Sequence, residues 1–232
     1  MRTLARPLRL RGRGLFSGRP CTLRLLPGRR GWRWGLRADR LHTLRPEHLA
    51  PLPHRSRLIH AGDEVVLPEH ALAALVLWDI DAVDIVFQGG EAPVLDGSAL
   101  PAVRALAAAG IRGAARSRFS VSTDRCEWTG GLAPAAARTF LHRADAGRLR
   151  PLFAGARPGS ALILDGEGAL YGGRPRLPDE PGVHKLLDLL GDLGPWRAQG
   201  PLFGRLVVPA PSHLGNPAAI EAALSSGELR RA

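Results

Sequence analysis

The stretch from Val183 to Leu193 restricts the fold more than any other part of the sequence. On a helix, residues four apart share a face, so His184, Asp188 and Asp192 form a polar stripe while Leu186, Leu187, Leu189 and Leu190 serve a core. A chain of 232 residues with 45% hydrophobic content can supply that core, as one large domain or two small ones. An imidazole and a carboxylate at this spacing can both reach one metal ion, although the same spacing equally suits a solvated surface pair.

Other features exclude whole classes of protein. The two cysteines, Cys21 and Cys126, are far apart and lack a CxxC pairing, which rules out a disulfide scaffold and a cysteine-built zinc ribbon and fits a reducing compartment. Arginines interrupt the N-terminus before a secretory signal can form. The most apolar window, Ala71 to Phe87, carries Asp79, Asp81 and Asp84, which a lipid-facing helix does not tolerate. A soluble, cytoplasmic protein is expected.

The net charge of +11 is unevenly placed, because residues 1–62 hold 15 arginines against Asp39 and Glu47 alone. That balance suits a phosphate-bearing partner or transient contact with an anionic membrane surface; it also suits simple compositional drift toward arginine. Trp32 and Trp34 among the arginines raise the idea of base stacking, but no nucleic-acid recognition motif accompanies them and no nucleic-acid partner is expected. Among 32 basic residues Lys185 is the only lysine, and an ammonium is not interchangeable with a guanidinium.

The first third reads as short strands and turns, with residues 31–62 as irregular connections holding one or two edge strands. A helix follows Pro68, a strand spans Asp84 to Phe87, and a second helix runs from Leu100 to Ala109 with Gly110 at its end. Beyond Arg118 come a strand at Phe119 to Ser122, an ambiguous alanine-rich stretch at Leu132 to Leu141 and a strand at Ala161 to Leu164. The rest reads as a loop at 166–182 with a short strand near Tyr171, the helix at 183–193, a strand at Leu206 to Val208, a helix from Pro217 to Leu224, and a frayed tail. This order predicts an α+β chain of two domains, 1–115 and 116–232, each layering helices against a mainly antiparallel sheet.

Two further pairs carry possible chemistry. At the start of the first helix, His70 can bind a metal while Glu69 faces the bound water, and His213, in a loop before the last helix, can act as a proton donor. Two histidines and one aspartate as ligands, a glutamate base, a histidine acid and Asp192 to orient it make a coherent set, with a coordination position left open. His42, His48, His54, His60 and His142 lack comparable surroundings and read as surface or loop residues.

In order and spacing, Leu67-Pro68-Glu69-His70, Val94-Leu95-Asp96-Gly97-Ser98, Ala137-Arg138-Thr139-Phe140, His184-Lys185-Leu186-Leu187-Asp188-Leu189-Leu190-Gly191-Asp192 and Ser212-His213 resemble the UDP-3-O-acyl-N-acetylglucosamine deacetylases. The resemblance implies two α+β domains with the active site between them and one Zn2+ per chain held by His70, His184 and Asp188. It further implies Glu69 as general base, His213 as general acid paired with Asp192, Thr139 beside the oxyanion, and Lys185 and Phe140 against the nucleotide-sugar substrate. The implied reaction removes an acetyl group in lipid A assembly in the cytoplasm; separately, a monomer is expected. Two departures stand out: Gly14-Leu15-Phe16-Ser17-Gly18 has phenylalanine where the family has histidine, and the second domain is short between Phe119 and Thr139. A zinc amidase for a different N-acetyl substrate, and an idle binding homologue, are the alternatives.

Overall fold

A computed structural model describes residues 1–144, 154–157, 159–165, 169–171 and 173–231. Part of the glycine-rich loop expected at 166–182 falls outside the described residues. The first half is built on a five-stranded sheet in the order Leu8–Arg13, Pro20–Pro27, Val83–Gln88, Trp32–Arg37, Arg40–Thr43. Its pairings are antiparallel except that Trp32–Arg37 runs parallel to Val83–Gln88. A three-stranded antiparallel sheet, Leu49–Leu52, Arg55–His60 and Asp63–Val66, leads into the first helix.

These strands correct the expectation of irregular chain over 31–62. In Trp32-Arg33-Trp34 the two tryptophans alternate inward to full burial and the arginine outward, so the period of two is present but masked by the arginines and prolines around it. Buried Trp32 and Trp34 are also unavailable for stacking on bases. The expected fraying of the tail is corrected too, since the last helix reaches Ser226 and Leu229–Arg231 adds an edge strand antiparallel to Leu202–Val207.

Helix α1, Glu69–Leu77, is apolar on nearly every side and almost wholly buried, as a helix held between layers must be. Helix α2, Leu100–Ala109, turns its apolar face to the same core and stops at Gly110, whose φ of 76° suits glycine. In the second half, Arg118–Ser122 lies parallel to Leu202–Val207, and Phe140–His142 parallel to Leu162–Leu164. The stretch left ambiguous at 132–141 divides into a 3-10 turn, Ala133–Ala136, and the strand from Phe140.

Helix α3, Glu180–Asp192, starts with Asp179 accepting a hydrogen bond from the Gly182 N–H, and the short α4, Gly194–Arg197, follows it. The last helix, α5, spans Asn216–Ser226. One continuous core joins Leu72 and Leu75 of α1 to Leu186 to Leu190 of α3 and to Leu206. The aspartates of the most apolar window are paired, not solvated: buried Arg197 reaches Asp79 and Asp81, each at 2.7 Å, and Arg33 reaches Asp84 at 2.8 Å. Among the described residues no helix is long and apolar enough to cross a membrane.

Candidate functional site

The stripe on α3 faces the start of α1. Leu67, with a φ of 58°, turns the chain sharply before Pro68, and the first turn of α1 then presents Glu69 and His70. Gly191 makes this crossing possible, because a Cβ there would sit 2.2 Å from the backbone oxygen of Glu69. The two helices meet backbone to backbone at the point where their polar residues converge.

His70 Nε2 lies 3.5 Å from one Asp188 oxygen and His184 Nε2 lies 3.3 Å from the other. The ligating atoms of these three residues all fall within 4.8 Å of one another, the only such group among the described residues. Burial holds His184 down to about 4, so its imidazole is neutral and keeps a lone pair. Burial raises the Asp188 carboxyl, but the neighbouring His184 and His213 outweigh it and hold the group ionised, well below the usual range. Two neutral-capable imidazoles and a carboxylate suit a divalent transition metal.

Glu69 and His213 face this group. Glu69 is 2% exposed, its Oε2 has no hydrogen-bond partner in the protein, and burial pushes its carboxyl up to about 7. His213 Nε2 stands 3.9 Å from Glu69 and 3.5 Å from Asp188, while its Nδ1 sits 2.8 Å from Asp192. Burial opposes the imidazolium, but Asp188, Asp192 and Glu69 overcome it and push His213 up to about 10.

Ser56 and Asn216 also belong to this network, and sequence reading missed both. The Ser56 hydroxyl donates to Asp192 at 2.6 Å and stands 3.2 Å from His213 Nδ1. The Asn216 amide donates to Asp192 at 2.8 Å while its carbonyl accepts from Ser212 N–H. Asn216 lies four residues beyond Ser212 and three beyond His213, the one local signal that could have pointed to it.

Thr139, Phe140 and Lys185 line the same cavity of about 350 Å³, together with His54 and His142. Phe140 stands edge-on to the His184 ring at 5.7 Å, with Lys185 Nζ also 5.7 Å from the Phe140 ring. The Thr139 hydroxyl makes a long 3.3 Å bond to the Gly97 carbonyl. Next to it, buried Arg138 pairs with Glu180 at 2.9 Å and so ties the segment bearing Thr139 to the start of α3. The turn at Phe16 is held by Glu91, whose carboxylate accepts from the N–H groups of Phe16 and Ser17, and Arg55 stacks over the Phe16 ring at 4.3 Å.

Two histidines depart from the expectation of surface or loop positions, buried His48 and half-buried His42, whereas His54, His60 and His142 are exposed as expected. His48 is 4% exposed and takes a hydrogen bond from the Trp34 indole at 3.1 Å, His60 stacks on it at 4.1 Å, and His42 pairs with Asp63 at 3.0 Å. Exposed His54 and His142 border the cavity.

A His, His, Asp group with two of its members buried, a neutralisable carboxylate on one side and a carboxylate-held histidine on the other, has the parts of a metal-assisted hydrolase. The family model for UDP-3-O-acyl N-acetylglycosamine deacetylase matches residues 1–131 and 115–225, and the chain belongs to that family. It is similar to the UDP-3-O-acyl-N-acetylglucosamine deacetylase of Anaeromyxobacter dehalogenans, with 29% identity covering 99% of this chain and 89% of that one. The enzymes of that name from Solibacter usitatus and a Synechocystis strain are each 30% identical, covering 91% and 82% of this chain and 86% and 87% of theirs. The Anaeromyxobacter comparison spans 278 positions against a chain of 232 residues, so at least 46 positions of that relative have no counterpart here.

Proposed function

We propose that this chain is a zinc-dependent deacetylase that removes the N-acetyl group of UDP-3-O-acyl-N-acetylglucosamine, releasing acetate, as a cytoplasmic step of lipid A assembly. The observation that carries the reading is the convergence of His70, His184 and Asp188 opposite Glu69 and His213. His70, His184 and Asp188 would hold one Zn2+. Bound there, zinc would supply Lewis acidity for the amide carbonyl and lower the pKa of a water to about 7.

The protein's own groups supply the proton transfers. Glu69, poised near neutrality, draws the proton from the attacking water. His213, charged at neutral pH and held through Nδ1 by Asp192, turns Nε2 to the cavity and gives its proton to the departing amine. A base pushed up toward 7 and an acid pushed above it place the two groups in opposite protonation states, as hydrolysis requires. The Thr139 hydroxyl can leave its long bond to Gly97 for the developing oxyanion, and Lys185 and Phe140 border the substrate.

In this reading residues 1–115 and 116–232 act as two domains, each contributing half of the site. The missing 46 or more positions relative to the Anaeromyxobacter enzyme favour, as a second reading, the same chemistry on a different N-acetyl substrate. Metal analysis tests the ligand set: about one zinc per chain is expected, lost in His184→Ala together with acetate release. Unchanged zinc in that variant contradicts the assignment.

A further inference from the structure

The outer face of the five-stranded sheet has no role in the site. Along Leu8–Arg13, Leu8 and Leu10 pack on the core, so Arg9, Arg11 and Arg13 point outward. On the next strand Cys21, Leu23 and Leu25 are buried and Arg24 shares the outer face, as Arg33 does two strands further on. The register sets Arg9 directly opposite Arg24. Like charges directly opposite in a sheet are destabilising.

The single acid on this face, Asp84, is taken by Arg33. Arg13 donates to the Gly18 carbonyl at 2.8 Å. Among the described residues, Arg9, Arg11 and Arg24 have no carboxylate partner. Side chains on one face recur about every 7 Å along a strand, with strands about 4.8 Å apart, so the array is dense. The positive surface also continues into a cavity lined by Arg11, Arg13 and Arg157, whose walls include Val94 and Leu95. Those two residues also line an apolar pocket that reaches His70.

We infer that this face docks the protein on an anionic lipid surface, the guanidinium groups contacting lipid phosphates. Phosphate attracts guanidinium whatever carries it, and the groups that accompany the arginines decide the carrier. The arginines stand on the outer face of a sheet, and Trp32, Trp34 and Phe87 of the same sheet are fully buried. A cation array without exposed aromatics suits the phosphates of a lipid surface better than stacked bases. The inference rests on the charge array and not on the proposed reaction.

Binding to vesicles tests it without any turnover. Vesicles of phosphatidylcholine containing phosphatidylglycerol are expected to bind the protein in a salt-sensitive way, and pure phosphatidylcholine vesicles are expected not to. The triple variant Arg9→Gln, Arg11→Gln, Arg24→Gln should bind on the order of 100-fold more weakly, at about five-fold per arginine near an anionic surface. An equal change of net charge at exposed Arg116, Arg230 and Arg231 of the other half should leave binding within a few fold. Circular dichroism checks that both variants fold. Equal weakening by both triples, or no binding to the anionic vesicles, overturns the inference. Tighter binding to duplex DNA than to vesicles, lost in the first triple only, overturns it in favour of a nucleic-acid face.

Discussion

At the scale of single residues, the site depends on where buried charge is allowed to settle. Glu69 has one carboxylate oxygen without a partner in the protein, an arrangement that costs stability and persists where a reaction uses the free oxygen. Glu69→Gln keeps the shape, removes the base and is expected to lower turnover by a factor on the order of 10² or more with zinc content unchanged. Steady-state kinetics alongside metal analysis checks this, and normal turnover removes Glu69 from the mechanism. His184, Asp188 and Asp192 were legible in the sequence because their spacing is local. Ser56 was not, because its partner Asp192 lies 136 residues away and a lone serine carries no pattern. His48 was misread for the same reason: its partner is Trp34, on a strand hidden among arginines.

Elements are positioned by a few buried pairs. Arg138 and Glu180 are 4% and 0% exposed, and together they fix the segment bearing Thr139 against the helix bearing His184. Burial alone raises the Glu180 carboxyl, but the Arg138 guanidinium and the N–H groups of Arg176 and Arg138 hold it below the usual carboxylate range. A folded-state value below the unfolded one, about 4.3, means stability that is complete above that pH and is lost as pH falls through the folded value. Thermal melts are expected to be flat in this respect near neutrality and to fall below about pH 4, with a shallower fall in the double variant Arg138→Met, Glu180→Leu. Parallel acid slopes in the two proteins remove the pair from the account. Helices α2 and α3 were readable from periodicity and from Gly110, whereas the strands between 31 and 62 were not. There the alternation is short, broken by proline and carried by arginines that look like a polar loop.

For the whole molecule, segments distant in the chain are held together by apolar packing and by Arg197. This guanidinium is 1% exposed and bridges Asp79 and Asp81 across the chain. Removing one partner of a buried pair leaves uncompensated charge, typically at a cost of about 3–5 kcal/mol. Arg197→Leu is therefore expected to lower the melting midpoint by on the order of 10 °C. A midpoint within a degree or two of the parent makes the bridge incidental. Two of the aspartates that argued against a membrane span in the sequence, Asp79 and Asp81, thus turn out to hold an arginine more than a hundred residues away. Shortening relative to the bacterial relatives leaves the His, His, Asp group and its facing Glu and His together, so the reaction is the property most directly open to test. Zinc-loaded protein incubated with UDP-3-O-acyl-N-acetylglucosamine and followed by mass spectrometry should release one acetyl group per molecule, stopped by a chelator and restored by zinc. Folded, zinc-bearing protein that leaves this substrate intact would contradict the account.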